Sequence, residues 1–254
     1  MTWDDDLNAC AAIVERGDPL RFRTAMLAPV AQRGALFALY AFNVEVSRAP
    51  WVTQETMIAE MRLQWWRDVL EEIAGGGPVR RHEVATPLAR LLDAPQAAML
   101  DALVTARRWD IYRDPFEDAA DLGRYIDQTA GHLLTVAAGL LGQAAPDPLR
   151  AAGKAAGIGA WLRAIPALEA AGRVPLLDGT PEGVRALAQE GVAALRHARR
   201  MRGRVPRACA PALLVATAAE PALRMAAARP HAVVHGRLPG AGFAFRLRAA
   251  VGRW

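Results

Sequence analysis

Apolar residues along this chain recur at three- and four-residue spacing, the period of a helix with one buried face. No segment carries the two-residue alternation, or the Val, Ile and Thr enrichment, of a strand. Val30–Ser47 is dense in apolar side chains, with Leu36, Leu39, Tyr40, Asn43 and Val44 at helical spacing, and is predicted to be a buried helix. Thr53 stands where it can cap the next helix, whose buried stripe is predicted to be Met57, Ile58, Met61, Trp65, Val69 and Ile73. That helix should stop at Gly75-Gly76-Gly77-Pro78. Further helices are expected over 85–109, 118–142, 148–164, 181–202, 208–228 and the last dozen residues, with loops at Pro115, Pro146, Pro166, Pro175, Pro206 and Pro230. No Gly/Ser-rich or charged linker interrupts the series, and no internal repeat is visible. The expectation is therefore a single all-α domain over 1–254, built from long amphipathic helices around a shared core.

Composition narrows the class. With 53% hydrophobic and 22% charged residues, the chain has enough apolar surface to offset the entropy of ordering, which excludes a disordered chain. Cys10 and Cys209 are its two thiols, far too few for a disulfide-stapled module, and they fit a reducing compartment. No run of apolar residues reaches the length of a bilayer span; Leu133–Ala145 has the length of a buried core helix. Asp4, Asp5 and Asp6 are unlike the basic start of a signal peptide or the acid-poor start of an organellar presequence. A cytoplasmic protein is expected.

The net charge of +5 hides an asymmetry. Residues 1–127 hold 14 arginines against 20 acids (net −6), whereas 128–254 hold 17 basic residues against 6 acids (net +11). Lys154 is the single lysine among 31 basic residues, the expected trace of codon bias in a GC-rich bacterial genome. The basic half suits anionic lipid, nucleic acid or an acidic protein surface, and charge alone does not choose among them.

Generic catalytic motifs add little. Gly153-Lys154 and Gly157-Ile158-Gly159 look like parts of a phosphate loop, but Pro148 stands where the leading glycine belongs and no strand precedes them. His231 and His235 are four apart, yet Pro230 precedes them and no third metal ligand is near, so two partly exposed histidines are expected. No Ser-His-Asp order is legible, and neither thiol lies in an activating C-x-x-C pattern. Arg196, Arg199, Arg200, Arg202, Arg204 and Arg207 form the densest positive run, expected at a solvated helix end or facing an anionic surface.

Several segments in order resemble the squalene/phytoene synthase family. Ala35–Phe42 is similar to the helix leading into that family's first aspartate motif, and Leu63-Gln64-Trp65-Trp66-Arg67-Asp68 to its W-R segment. Gly77-Pro78 and His82 stand as in its g-x-P…H-P loop, and Asp121-Leu122, Tyr125 and Ala130-Gly131 as in its D-L-x-x-Y…A-G helix. Gly157, Leu162-Arg163 and Gly172-Arg173-Val174-Pro175-Leu176 follow its second motif and G-R-x-Y-L-P exit. The resemblance spans about residues 15–225 and implies the isoprenoid-synthase-type helical bundle with a central cavity.

That family joins prenyl diphosphates, with Mg²⁺ held by facing Asp clusters neutralising the leaving diphosphate. Laid on this chain, the first motif's Arg falls on Val44 and its acids on Ser47, Arg48 and Trp51. The second falls on Gly157, Ile158, Ala160, Leu162, Arg163 and Ala164, with its last acid near Leu168; Arg163 is retained, while both acids, the Gln and the Asn are lost. Glu169, beyond Pro166, is expected in a loop. With both halves of the metal site lost, the resemblance implies a pseudoenzyme with no catalytic residue, no metal ligand and no cofactor. It points to the non-catalytic branch that includes the assembly factor of mitochondrial respiratory complex I. The implied partners are a complex I subunit or assembly intermediate, an anionic face of the inner membrane, or an isoprenoid or lipid in the cavity, and not nucleic acid. Tyr125, Arg163, Arg173 and Arg48 are the pocket candidates that the resemblance supplies. The alternatives are a prenyl-diphosphate synthase whose arginines replace the metal, and a non-catalytic lipid carrier, its cavity filled or not by Trp51 and Trp161.

Overall fold

The computed structural model describes residues 3–251 and 254, and among them there are helices and no strand. The helices are α1 (Asp5–Gly17), α2 (Pro19–Met26), α3 (Val30–Arg48), α4 (Thr56–Ala74), α5 (Ala85–Ala89), α6 (Ala94–Ala106), α7 (Ala119–Ile126), α8 (His132–Leu141), α9 (Pro146–Ala170), α10 (Pro181–Arg200), α11 (Ala210–Ala228), α12 (His231–Val234) and α13 (Phe243–Ala250). They fall into two compact units: the chain up to Tyr112 with Gly139–Leu141, and Arg113–Ala138 with Gly142–Trp254. Among the described residues no helix is long and apolar enough to cross a membrane.

In the first unit, α3 forms where the apolar density predicted a buried helix. Its residues 36–44 are buried on every side, with Leu36, Leu39 and Phe42 fully enclosed, so neighbours must surround it. α1, α2 and α5 pack on α3, while α4 packs on α6. Caps place the first two helices: Asp4 accepts from the Leu7 N–H, and Asp18 accepts from the Arg21 N–H while pairing with its guanidinium at 2.6 Å. Cys10 is fully buried, and burial pushes its thiol up to about 12. That is a structural thiol, not a reactive one.

Three predicted features of this unit are corrected. Thr53 accepts a hydrogen bond from the Glu55 N–H in the preceding turn, and α4 starts at Thr56 without a side-chain cap. The buried face of α4 is Ala59, Leu63, Trp66, Val69, Leu70 and Ile73, whereas Met57 and Met61 are 74% and 65% exposed. Two apolar stripes coexist on the first turns of α4, and periodicity cannot say which one meets a neighbour. The helix expected over 85–109 is broken in two, because Asp93 and Gln96 form a reciprocal capping box that starts α6 afresh.

The second unit is built on α9, which packs on both α10 and α11 while those two pack on each other. The glycines that resembled a phosphate loop are where neighbouring elements come closest. A Cβ on Gly153 would lie 2.7 Å from the Gly131 Cα, and one on Gly157 would lie 2.6 Å from the Ile126 side chain. Gly131 ends the π-helical turn Asp127–Gly131 that joins α7 to α8. The helix of 148–164 is longer than predicted: α9 continues through Pro166, and Glu169 lies on it instead of in a loop. The proline costs about 3 kcal/mol in an isolated helix interior, but buried Ile165 and Leu168 hold the turns on either side of it.

Three of the six arginines of the Arg-rich run are paired locally, while Arg196, Arg200 and Arg207 are exposed with no acidic partner among the described residues. Arg199 of α10 meets Glu220 of α11 at 2.7 Å, and Arg224 meets the same carboxylate at 2.8 Å. Arg202 lies over the Trp254 ring and donates to its main-chain oxygen, and Arg204 reaches Asp147 at 3.6 Å. Of the segment 243–248, the side chains of Phe243, Ala244 and Arg246 lie outside the described residues. Phe245 is buried and Leu247 exposed.

Replacing Gly153 with Ala forces backbone apart at the π-helical turn, and we expect a loss of about 1–3 kcal/mol in denaturant unfolding. A stability equal to that of the unchanged protein would show that the helices can separate freely there. Burial works to raise the Glu220 carboxyl, but hydrogen bonds from Arg199 and Arg224 outweigh it and hold the group below its ordinary value of 4.5. A folded-state value below the unfolded one stabilises above 4.5, and that contribution disappears as pH falls through the folded value. Glu220→Gln is therefore expected to be less stable than the unchanged protein at neutral pH, with the gap narrowing under strong acid. Unfolding curves at about pH 7 and about pH 3 check this; a gap that widens in acid would reverse the sign.

Candidate functional site

The four pocket candidates divide between the two units: Arg48 lies in the first, and Tyr125, Arg163 and Arg173 in the second. Arg48 ends α3, exposed, with no ion pair or hydrogen bond among the described residues. Beside it, Ser47 donates to the Val44 carbonyl of its own helix at 3.1 Å, and Trp51 is 42% exposed. The W-R segment and the loop that follows it meet in an aromatic cluster. Trp65 and Trp66 pack edge to face at 4.8 Å, Phe42 meets Trp66 at 5.1 Å, and His82 lies 5.0 Å from Trp65. The His82 Nδ1 accepts from the Val84 N–H, so a neutral ring carries its proton on Nε2. Arg80 sits over the Trp65 ring and pairs with Glu72. Arg67 bonds Asp101 of α6 through two nitrogens, at 2.7 and 3.3 Å, and not the acids of its own helix.

In the second unit Tyr125 belongs to a buried triangle of rings. Tyr125 of α7 and Trp161 of α9 lie 5.2 Å apart, and Phe116, ahead of α7, is 5.6 Å from each. The motif that places Tyr125 is local chemistry. Asp118 caps α7 by accepting from the Asp121 N–H, Asp121 pairs with Arg124 at 2.8 Å, and Leu122 and Tyr125 share the buried face. The exit from α9 is likewise geometric. Gly172, at φ +75°, ends the helix in a Schellman turn, with its N–H bonded to the Glu169 carbonyl and the Arg173 N–H to that of Leu168. The turn carries Pro175 back so that its carbonyl accepts from the Trp161 Nε1–H at 3.0 Å.

Arg163 stands two residues beyond Trp161 on α9. It is partly buried, its Nη1 is enclosed, and it has no hydrogen-bond or ion-pair partner among the described residues. Burial draws its guanidinium below the ordinary value. Arg173 is also partly buried. A desolvated guanidinium is suited to pairing with an anion.

Where the family pattern calls for acids, α9 offers Ala164, partly buried, and Leu168, buried in packing; Gly157, where the pattern has Gln, is closed against α7. Among the described residues no three His, Cys, Asp or Glu side chains are placed to share an ion. The residues present do not fit a Mg²⁺–diphosphate centre, which needs several carboxylate oxygens on facing helices.

Residues 14–176 match the squalene/phytoene synthase family. The chain belongs to that family. Two solved structures share its fold: a dehydrosqualene synthase with bound ligand (TM-score 0.77, 16% identity, 96% of this chain and 93% of that one), and the squalene synthase HpnC of Alicyclobacillus acidocaldarius (TM-score 0.75, 16% identity, 89% and 94%). The fold is thus the all-α isoprenoid-synthase type that the motif order implied. In sequence the chain is similar to the complex I assembly factor 6 homolog of Drosophila melanogaster, at 35% identity over 170 residues (62% of this chain, 50% of that protein). It is also similar to human complex I assembly factor 6, at 28% over 169 residues (65% and 50%). The chain spans about half the length of the curated relatives it matches.

Sequence reasoning named Tyr125 and Trp161 without placing them together, and it missed Phe116, for which a lone aromatic beside Pro115 gave no signal. Removing the Trp161 ring (Trp161→Ala) is expected to cost about 3–5 kcal/mol in unfolding free energy, as for other large buried aromatics. Arg163→Met, which deletes a desolvated charge that has no partner, is expected to leave the melting temperature unchanged or raised. A marked fall for Arg163→Met would mean that the guanidinium is structurally paired.

Proposed function

We propose that this chain is a catalytically inactive member of the squalene/phytoene synthase family that assists the assembly of respiratory complex I, working in the cytoplasm or peripherally on the inner membrane. The observation that carries this reading is the joint loss of both metal motifs in a chain whose sequence relatives are named as complex I assembly factors. Ionising a prenyl diphosphate requires stabilisation that grows as the C–O bond breaks, and arginines alone bind the ground state without supplying a pair of metal ions. What remains useful is a rigid helical scaffold with a basic second half, suited to docking on a complex I subunit or intermediate.

A second reading is favoured by Arg163. A desolvated guanidinium on α9 with no partner among the described residues suits the anionic head of an isoprenoid or lipid held without turnover. This is compatible with an assembly role, since a scaffold can sense a lipid and dock on a partner.

The test has two parts. Purified protein with Mg²⁺ and farnesyl or geranylgeranyl diphosphate is expected to release no pyrophosphate, and sustained release by the unmodified chain would overturn its inactivity. Deleting the gene is expected to lower the amount of assembled complex I on native gels, with restoration by the wild-type copy. Unchanged complex I in the deletion strain would sink the assembly role.

A further inference from the structure

A cluster of arginines and histidines lines a separate cleft of the second unit. Arg185 of α10, Arg229 at the end of α11, His231 and His235 of the α12 turn, and Arg237 line one cleft of about 540 Å³, which has no carboxylate in its wall. Met225 and Pro230 supply apolar wall. The main chain fixes this wall firmly. Gly236 adopts φ +62°, its N–H bonds the Val233 carbonyl at 2.9 Å, and the Arg237 N–H bonds that of Ala232 at 2.8 Å, closing α12 in a Schellman turn.

The charges around the cleft are not neutralised from within. Arg229 and Arg237 have no acidic partner among the described residues, and Arg185 has only Glu182, at 3.8 Å and itself 77% exposed. The contrast is a neighbouring cleft of about 520 Å³ on the other end of α10, lined by Arg150, Lys154 and Arg200 but also by Asp147 and Glu190. There Lys154 pairs with Glu190 at 2.5 Å, and Arg204 pairs with Asp147 at 3.6 Å. Like charges repel across a concave wall, and a bound polyanion relieves that repulsion while accepting guanidinium hydrogen bonds in pairs. The size is that of a small-molecule site, and two imidazoles add further donors at its rim.

We propose that this cleft binds a small phosphate-bearing anion with two or more negative charges, held chiefly by Arg229 and Arg237. The inference goes beyond the proposed function and does not depend on it. The shared chemistry is a phosphate group, presented either free in solution or as a lipid headgroup.

The test titrates the full chain with inorganic pyrophosphate by calorimetry and, separately, sediments it with phosphatidylcholine vesicles containing phosphatidylglycerol. Three proteins are compared: the unchanged chain, Arg229→Gln/Arg237→Gln, and Arg150→Gln/Arg200→Gln in the self-neutralised cleft. All four positions are exposed, so circular dichroism is expected to report the same helix content for each. Binding is expected to weaken about tenfold or more in the first double variant and to stay unchanged in the second. Pyrophosphate binding lost in this pattern assigns a free phosphate ligand, and vesicle binding lost in this pattern with pyrophosphate silent assigns a lipid headgroup. The proposal is overturned if neither probe binds, if both double variants weaken alike, or if Arg229→Gln/Arg237→Gln binds as the unchanged chain does.

Discussion

The second unit depends on how closely other elements can approach α9. Dispersion falls away within a fraction of an ångström, so helices that lack intervening side chains gain contact that larger residues would forfeit. Gly153 and Gly157 remove those side chains where α9 meets the π-helical turn and α7. That approach sets the height of Trp161 against Tyr125 and Phe116. The end of α9 is set locally, by Gly172, whose turn brings the Pro175 carbonyl to the Trp161 ring nitrogen. The first unit has a different constraint: α3 is apolar around its whole circumference over 36–44, and its neighbours must enclose it.

The family's chemistry is a problem of charge. Diphosphate leaves when metal ions held by facing carboxylates take up its developing charge. Those positions have become a serine bonded to its own helix, an exposed arginine and an exposed tryptophan at the end of α3 and just after it, and a partly buried alanine and a buried leucine on α9. Motif residues that survive elsewhere have structural work: Asp121 pairs with Arg124, Tyr125 packs in the ring triangle, and His82 packs on the tryptophans. The fold thus persists without those carboxylates, and the second half of the sequence carries the excess of positive charge.

The fold was legible because helices announce themselves locally. The apolar density of 30–47, the glycines after α4 and the prolines near helix starts each report an event within one or two turns. The order of weak motifs then identified the fold, since collinear fragments constrain topology even when each is unspecific. The site was only partly legible. Tyr125, Arg163 and Arg173 could be named from the pattern, but that Arg163 lacks a partner depends on what surrounds it in space. The basic cleft was invisible, because its arginines and histidines come from α10, the end of α11 and the α12 turn, more than forty residues of chain apart at the extremes.

By itself the sequence determined the helical class, the glycine positions that permit close packing, and the loss of the metal-binding acids. These are properties of residue type and short-range spacing. Only the tertiary structure decided that α4 buries Leu63 and Trp66 while Met57 and Met61 face out, and that α9 continues past Pro166. It likewise decided that Arg67 reaches across to Asp101 and that Arg199 shares Glu220 with Arg224. The physical reason is common to all four: burial, helix continuation and charge pairing are settled by neighbours distant along the chain, whose free energies of contact exceed the local preferences that a sequence displays.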